Sequence, residues 1–342
     1  MALSKKEKVT VFVVGFVIGT AALTLVYPLI KPQENAHPWR EQTAAEGSFP
    51  YTFTDDYGRE LTLNRQPRHY ISLAPSITEI IYAMGLGDHI MAVTDFDEYP
   101  AEAKSLRERG GTVGSLNTPN QEMMLALQPD VIIGSDLTPI TIYQQLQDPP
   151  RTVTVAFSHD SYEDVIKDIK QISLVLGTPG RGLELVHELE AKHDQIAQRL
   201  ESVEDEPKRK AIVLYGIEEN LLPGFSPGKD TWVGDLLEQS HAENIAGASK
   251  SGWGQLGLEG LLAAQPEVIL VTDGRTPEEK QQLRERLNKL AAHPVWSQMP
   301  AVRNSRVVIL PAGVFSIAGP RMVEAYEALA RGVWPEAFRS GS

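Results

Sequence analysis

Arg181–Val203 reads RGLELVHELEAKHDQIAQRLESV, and the recurrence of its apolar residues decides the fold. Leu183, Val186, Leu189, Ile196, Leu200 and Val203, with His193 filling the open step, follow one another at three- and four-residue intervals. That spacing puts them on one stripe of an α-helix, with Glu, Lys, Gln, Asp and Arg on the opposite face. Pro179 and Gly180 are expected to break the chain just before it, and Pro207 follows the charged run EDEPKRK just after. About 23 residues at 1.5 Å each make a rod of roughly 34 Å, long enough to join two lobes as a stiff beam.

Outward from the rod, the chain repeats itself. EMMLALQPDVIIGSD (Glu122–Asp136) precedes it and EGLLAAQPEVILVTD (Glu259–Asp273) follows it, with eight of fifteen positions identical. Each copy reads as an apolar helix, a Gln-Pro break at Pro129 or Pro266, and a strand. Val131-Ile132-Ile133 and Val268-Ile269-Leu270 have the continuous branched character of parallel strands covered on both faces. The expectation is an α/β protein of two Rossmann-like lobes with parallel central sheets: residues 50–178, a linking helix over 179–206, and residues 207–338.

The bulk properties narrow the function classes. A chain of 342 residues with 42% hydrophobic content can build a core in each of two lobes. Net charge −13 and a pI near 5.1 argue against a nucleic-acid partner. The absence of cysteine excludes disulfides, thiolate metal sites, cysteine nucleophiles and a lipid anchor on an N-terminal Cys. Val9–Ile30 carries no charge and, as a helix of roughly 33 Å, matches the hydrocarbon core of a bilayer. Lys5, Lys6 and Lys8 precede it, so the positive-inside rule leaves the N-terminus in the cytoplasm and exports the rest. An uncleaved transmembrane anchor is favoured over a cleaved signal, because no small-x-small site lies close to Ile30. Residues 31–49 read as a tether.

In the first lobe, Asp55–Gly58 is turn chemistry for a hairpin and Tyr70–Leu73 is a strand. Ser76-x-x-Glu79 reads as a capping box opening a helix over Ile77–Met84, closed by Gly85. The turn at Pro75 and Ser76 then points free N–H groups out of the carboxyl end of a strand, where open α/β sheets bind ligands. The second lobe repeats the scheme: strand Ala211–Tyr215, a loop to Lys229, a helix Trp232–Gln239, the loop SGWGQLG, a polar helix near Pro277–Ala291, strand Val307–Leu310, the loop PAGVFSIAG and a last helix from Arg321.

Catalytic motifs fail. GFSPGKD (Gly224–Asp230) is one residue short of a phosphate loop and has Asp after the Lys. In HELEAKH (His187–His193) the histidines are six apart, where a zinc-protease helix needs four. Asp95 and Asp97 in DFDEYP read as a solvated loop without a partnered His. No nucleophile–base set emerges, and no metal site, so the pattern points to binding.

Taken together, PRHYISLAPSITEIIYAMGLGD, ALQPDVIIGS, the single long helix, LLAAQPEVILVTDG and VFSIAGPRMVEAYEALA resemble the helical-backbone substrate-binding proteins of ABC importers for iron–siderophore complexes, haem and cobalamin. The resemblance runs from about Tyr51 to Phe338. It implies a monomeric extracytoplasmic receptor with no cofactor of its own, holding a metal chelate between two lobes. It also implies that Glu122 and Glu259, at matching places in the repeat, dock onto permease arginines. Ligand contacts are expected from Pro75, Ser76, Phe96, Tyr99, Phe225, Trp253, Phe315 and Arg321; the place of Trp253 resembles that of the cleft tryptophan of the cobalamin binders. Those binders carry an Asp and an Arg where this sequence has Gly313 and Ile317, which ranks iron–siderophore or haem ahead of cobalamin. The alternatives are a chelatase-like enzyme or a tethered sensor on the same scaffold.

Overall fold

A computed structural model describes residues 48–247, 252–274 and 276–339, which lie in one compact unit spanning Glu46–Ser342. The proposed membrane span and tether lie outside the described residues, apart from the last two tether positions. Among the described residues no helix is long and apolar enough to cross a membrane.

The chain opens with the expected hairpin, β1 (Tyr51–Thr54) antiparallel to β2 (Glu60–Leu63). It continues through β3 (Tyr70–Ser72), α1 (Pro75–Ala83), β4 (Ile90–Ala92), α2 (Ala101–Glu108), α3 (Gln121–Leu127), β5 (Val131–Ser135), α4 (Ile140–Leu146), β6 (Val153–Phe157) and α5 (Tyr162–Val175). The four strands β3 to β6 form one parallel sheet in the order β4-β3-β5-β6. Every residue of β5 and β6 is buried, as the unbroken apolar pattern requires of strands covered on both faces.

The rod is α6 (Pro179–Leu200), 22 residues without interruption. Pro179 does not break it but starts it, because a first-turn proline lacks only an N–H that has no intrahelical partner there. The stripe is shifted at its start: Leu183 is exposed, and Gly182 and Leu185 face the core.

Beyond the rod come β7 (Arg209–Ile217), β8 (Pro223–Pro227), α7 (Trp232–Gln239), β9 (Ala242–Asn244), β10 (Trp253–Gly254), α8 (Leu258–Ala264), β11 (Val268–Thr272), α9 (Pro277–Leu290), α10 (Pro300–Arg303), β12 (Val307–Leu310), α11 (Ala312–Phe315) and α12 (Met322–Val333). Strands β9-β7-β11-β12 are parallel and repeat the N-terminal order strand for strand. Two further strands, β8 and β10, extend this sheet in antiparallel pairing from the end of β7. The sequence reading takes both segments for loops, since Pro223, Pro227 and two glycines hide their strand character.

The internal repeat is reproduced in detail. Helices α3 and α8 are seven residues each and end on Gln128 and Gln265, both left-handed with φ of 53°, before Pro129 and Pro266. Asp136 N–H donates to the Phe157 carbonyl (3.0 Å) and Asp273 N–H to the Leu310 carbonyl (2.7 Å), the same bond at the end of each copy.

Apolar residues fall into three clusters. One lies on the far face of each sheet, built around Met124 and Tyr143 in the first lobe and Leu261 and Trp296 in the second. The third is shared: Ile77, Ile133 and Ile169 of one lobe, Val186, Leu189 and Ile196 of the rod, and Val213, Leu270 and Tyr326 of the other belong to a single core. At its middle His193 stacks between Tyr162 of α5 and Tyr326 of α12, with ring centroids 4.5 and 4.8 Å away. The lobes are therefore fused beneath the rod, not merely linked by it.

Candidate ligand-binding site

The loop Thr94–Pro100 follows β4 at the carboxyl edge of the first sheet. Its shape is set by Asp97, fully buried and not solvated as the sequence suggests, whose Oδ2 accepts from the Thr94 N–H (2.8 Å) and hydroxyl. Burial pushes the Asp97 carboxyl above its usual range, against the hydrogen bonds from Thr78 and Thr94. The flank is tied by Arg107, which donates to the Asp95 carbonyl (2.8 Å) and to Glu98. Held this way, the loop leaves Phe96 and Tyr99 each 49% exposed.

On the second lobe the rings stand on strands. Phe225, 61% exposed, is the middle residue of β8 and sits opposite Tyr215 of β7. Trp253, 40% exposed, is in β10 and meets the Tyr215 ring edge-on, 4.9 Å between centroids. Tyr215 donates its hydroxyl to the Phe315 carbonyl, which fixes the ring that Trp253 meets. The sequence reading passes over Tyr215 as the end of a strand; its place before Gly216, where the strand leaves the core, is the signal that marks it.

Arg321 joins the two halves. It lies at the start of α12 in the second lobe, yet its guanidinium makes a two-point ion pair with Glu79 of α1 in the first, Nε to Oε2 at 2.9 Å and Nη2 to Oε1 at 2.5 Å. The Tyr99 ring lies 4.1 Å from the same guanidinium, and the Gly313 carbonyl accepts from it at 3.2 Å. Burial raises the Glu79 carboxyl, partly offset by Arg321. The expected capping box is thereby corrected: α1 has Ala74 at its cap with no side-chain bond, and Glu79 faces the other lobe. Pro75 and Ser76 are covered as well. The loop before α12 packs over them: a β-carbon on Gly319 would stand in ordinary van der Waals contact, 3.7 Å from Ser76 Cα. Phe315 is 1% exposed and stacks on Trp232 within the shared core, so its ring is no wall of the site.

Of the eight expected contacts, the structure thus presents Phe96, Tyr99, Phe225 and Trp253 as exposed rings, places Arg321 at the junction and buries Pro75, Ser76 and Phe315. Glu122 and Glu259 are exposed in the first turns of α3 and α8, and neither makes a hydrogen bond or ion pair with another described residue. Among the described residues no group of three metal-ligating side chains is positioned to hold an ion. One match overlooked in the sequence is GFSPG (Gly224–Gly228), which has the G-x-S-x-G spacing of a nucleophile elbow. Ser226 lies within β8, 1% exposed, with its hydroxyl lacking a hydrogen-bond partner, so it has neither the strand-to-helix turn nor the base that such a serine needs.

Comparison with known proteins gives the same picture. A family model for periplasmic binding proteins matches residues 71–314. An uncharacterised ABC transporter substrate-binding lipoprotein of Bacillus subtilis is 27% identical over 324 residues, covering 93% of this chain and 97% of its own. A vitamin B12-binding protein of Pectobacterium carotovorum is 28% identical over 262 residues, 75% of this chain and 85% of its own. A periplasmic haem-binding protein from Pseudomonas aeruginosa superposes with a TM-score of 0.66 at 22% identity, covering 81% of this chain and 96% of its own.

Proposed function

The chain belongs to the periplasmic binding protein family, and from that premise we propose that it is the extracytoplasmic receptor of an ABC importer, capturing a metal chelate between its lobes and handing it to the permease. It is a binding protein and not an enzyme. The observation that carries the ligand class is the display of four exposed aromatic residues, two from each lobe, one of which, Tyr99, lies against an inter-lobe ion pair. Large ring faces suit a bulky chelate or tetrapyrrole, and the site needs no resident cofactor.

Lobes of residues 50–178 and 207–338 form the two jaws and residues 179–206 the back. The uncharged run Val9–Ile30 holds a monomeric receptor at the membrane, on the outer side. Glu122 and Glu259 dock onto permease cations. A helix-dipole preference of about 0.3–1 kcal/mol explains one first-turn glutamate, but two at matched, exposed places, neither bonded to another described residue, suit a pseudo-symmetric partner.

The test pairs binding with transport. Purified receptor should show saturable binding of at least one ferric siderophore, haemin or cobalamin, and Glu122→Arg with Glu259→Arg should abolish uptake while leaving that binding intact. No saturable binding to any of them sinks the receptor reading; uptake that survives the double charge reversal sinks the docking role.

A further inference from the structure

We infer that the site selects a chelate without net negative charge, and that Glu79 is the residue that sets this preference by neutralising Arg321. The inference rests on the receptor reading above and adds the charge class of its ligand.

Among the described residues, the cations available to an anionic ligand are few. Among the described residues, the loops at the carboxyl edges of the two sheets carry two: Lys229 and Arg321. Lys229 is paired with Glu238 of α7 at 3.2 Å. Arg321 is held at two points by a carboxylate whose side chain is 3% exposed, with the Tyr99 ring lying against its guanidinium. His159, also at a sheet edge, is bonded to buried Asp168 at 3.1 Å. An anionic ligand at Arg321 meets a guanidinium whose charge Glu79 already balances, and taking over the two-point pair would leave a carboxylate unpaired in a covered position, an arrangement that proteins avoid. A chain of net charge −13 adds a long-range field that repels anions further. Ring stacking on Phe96, Tyr99, Phe225 and Trp253 is indifferent to that field and remains available to an uncharged chelate.

Glu79 is accordingly a specificity-determining residue and not a ligand contact. Changing it to glutamine keeps the shape and most of the hydrogen bonding but leaves the guanidinium charge uncompensated toward the site. The double change Glu79→Gln with Arg321→Gln removes both charges and restores neutrality.

Equilibrium dialysis read by metal content, at one fixed ionic strength, compares uncharged chelates (cyanocobalamin, ferrichrome) with anionic ones (haemin, ferric enterobactin). The native chain should bind an uncharged chelate at least 10-fold more tightly than either anionic one. Glu79→Gln should gain about 10-fold or more for the anionic pair, with less than a 3-fold change for the uncharged pair, and the double variant should lose that gain. A native preference for an anionic chelate, or a Glu79→Gln variant with an unchanged ratio, overturns the inference and leaves the receptor reading standing. Failure to bind all four overturns both. Should Glu79→Gln not fold, the ranking by the native chain alone decides the matter.

Discussion

In the N-terminal lobe Phe96 and Tyr99 stand on an irregular loop shaped by one buried carboxylate, whereas in the C-terminal lobe Phe225 and Trp253 stand on two strands added to the sheet. The underlying frames are alike: four parallel strands in one order, a seven-residue helix ending in a left-handed glutamine, and the same closing hydrogen bond. The repeat therefore supplies the scaffold, and the insertions that break the symmetry supply the site. A backbone ladder resists deformation better than a loop held by side chains, so the second lobe offers a fixed platform and the first an adjustable face.

The sharpest way to break this contrast is Arg321→Ala. It removes a side chain by which the platform lobe grips both α1 and the aromatic loop, and it strands Glu79 in a buried position. Breaking a buried pair from one side costs about 3–5 kcal/mol, which urea denaturation should read as a fall in midpoint. Hydrogen exchange should meanwhile quicken at residues 94–100 and hold at Pro223–Pro227; equal loosening of both would refute the contrast.

A somewhat smaller effect separates the lobes by pH. Asp168 of α5 is 1% exposed, and burial lifts its carboxyl to about 6 despite the His159 hydrogen bond. A carboxyl whose folded pKa lies above its unfolded value of 3.8 binds its proton more tightly when folded. Its contribution is fully present below about pH 4 and is lost as pH rises through about 6, a change of about 3 kcal/mol at most. Asp168→Asn should flatten this part of the stability–pH curve and raise the melting temperature at pH 8. An unaltered slope would remove Asp168 as its source.

The smallest effect probes the repeat itself. Gln128 and Gln265 both sit at φ of 53°, but only Gln265 donates its side-chain amide back to the helix, to the Leu262 carbonyl at 2.7 Å. Glycine adopts this conformation without strain, so Gln128→Gly should stabilise by about 0.5–1 kcal/mol. Gln265→Gly should gain less, because it also loses that bond. Melting curves of the two single variants decide whether the copies differ in this way.

Most of the frame was legible in the chain. The rod, the strands flanking Pro129 and Pro266, and the duplication rest on local periodicity that a linear reading captures, and all appear in the structure. The site was legible only where an aromatic stands among residues unsuited to a core, as in SGWG and DFDEYP. What escaped depends on distance along the chain. Glu79 and Arg321 are 242 residues apart, and the local Ser-x-x-Glu pattern offered a cheaper, incorrect use for the glutamate. The sequence reading groups Phe315 with the ligand contacts, yet it stacks on Trp232 of another helix, a partner that no local pattern announces. Strand β8 was hidden by its prolines, which stand at its first and last positions, where they interrupt the ladder least.

The apolar core that runs unbroken from one lobe through the rod into the other has a mechanical consequence. Parting the jaws widely would pull against that shared core, so empty and loaded receptors are expected to share nearly one silhouette. A transporter meeting this protein gets little news from its outline and has to detect the cargo where it shows at the mouth.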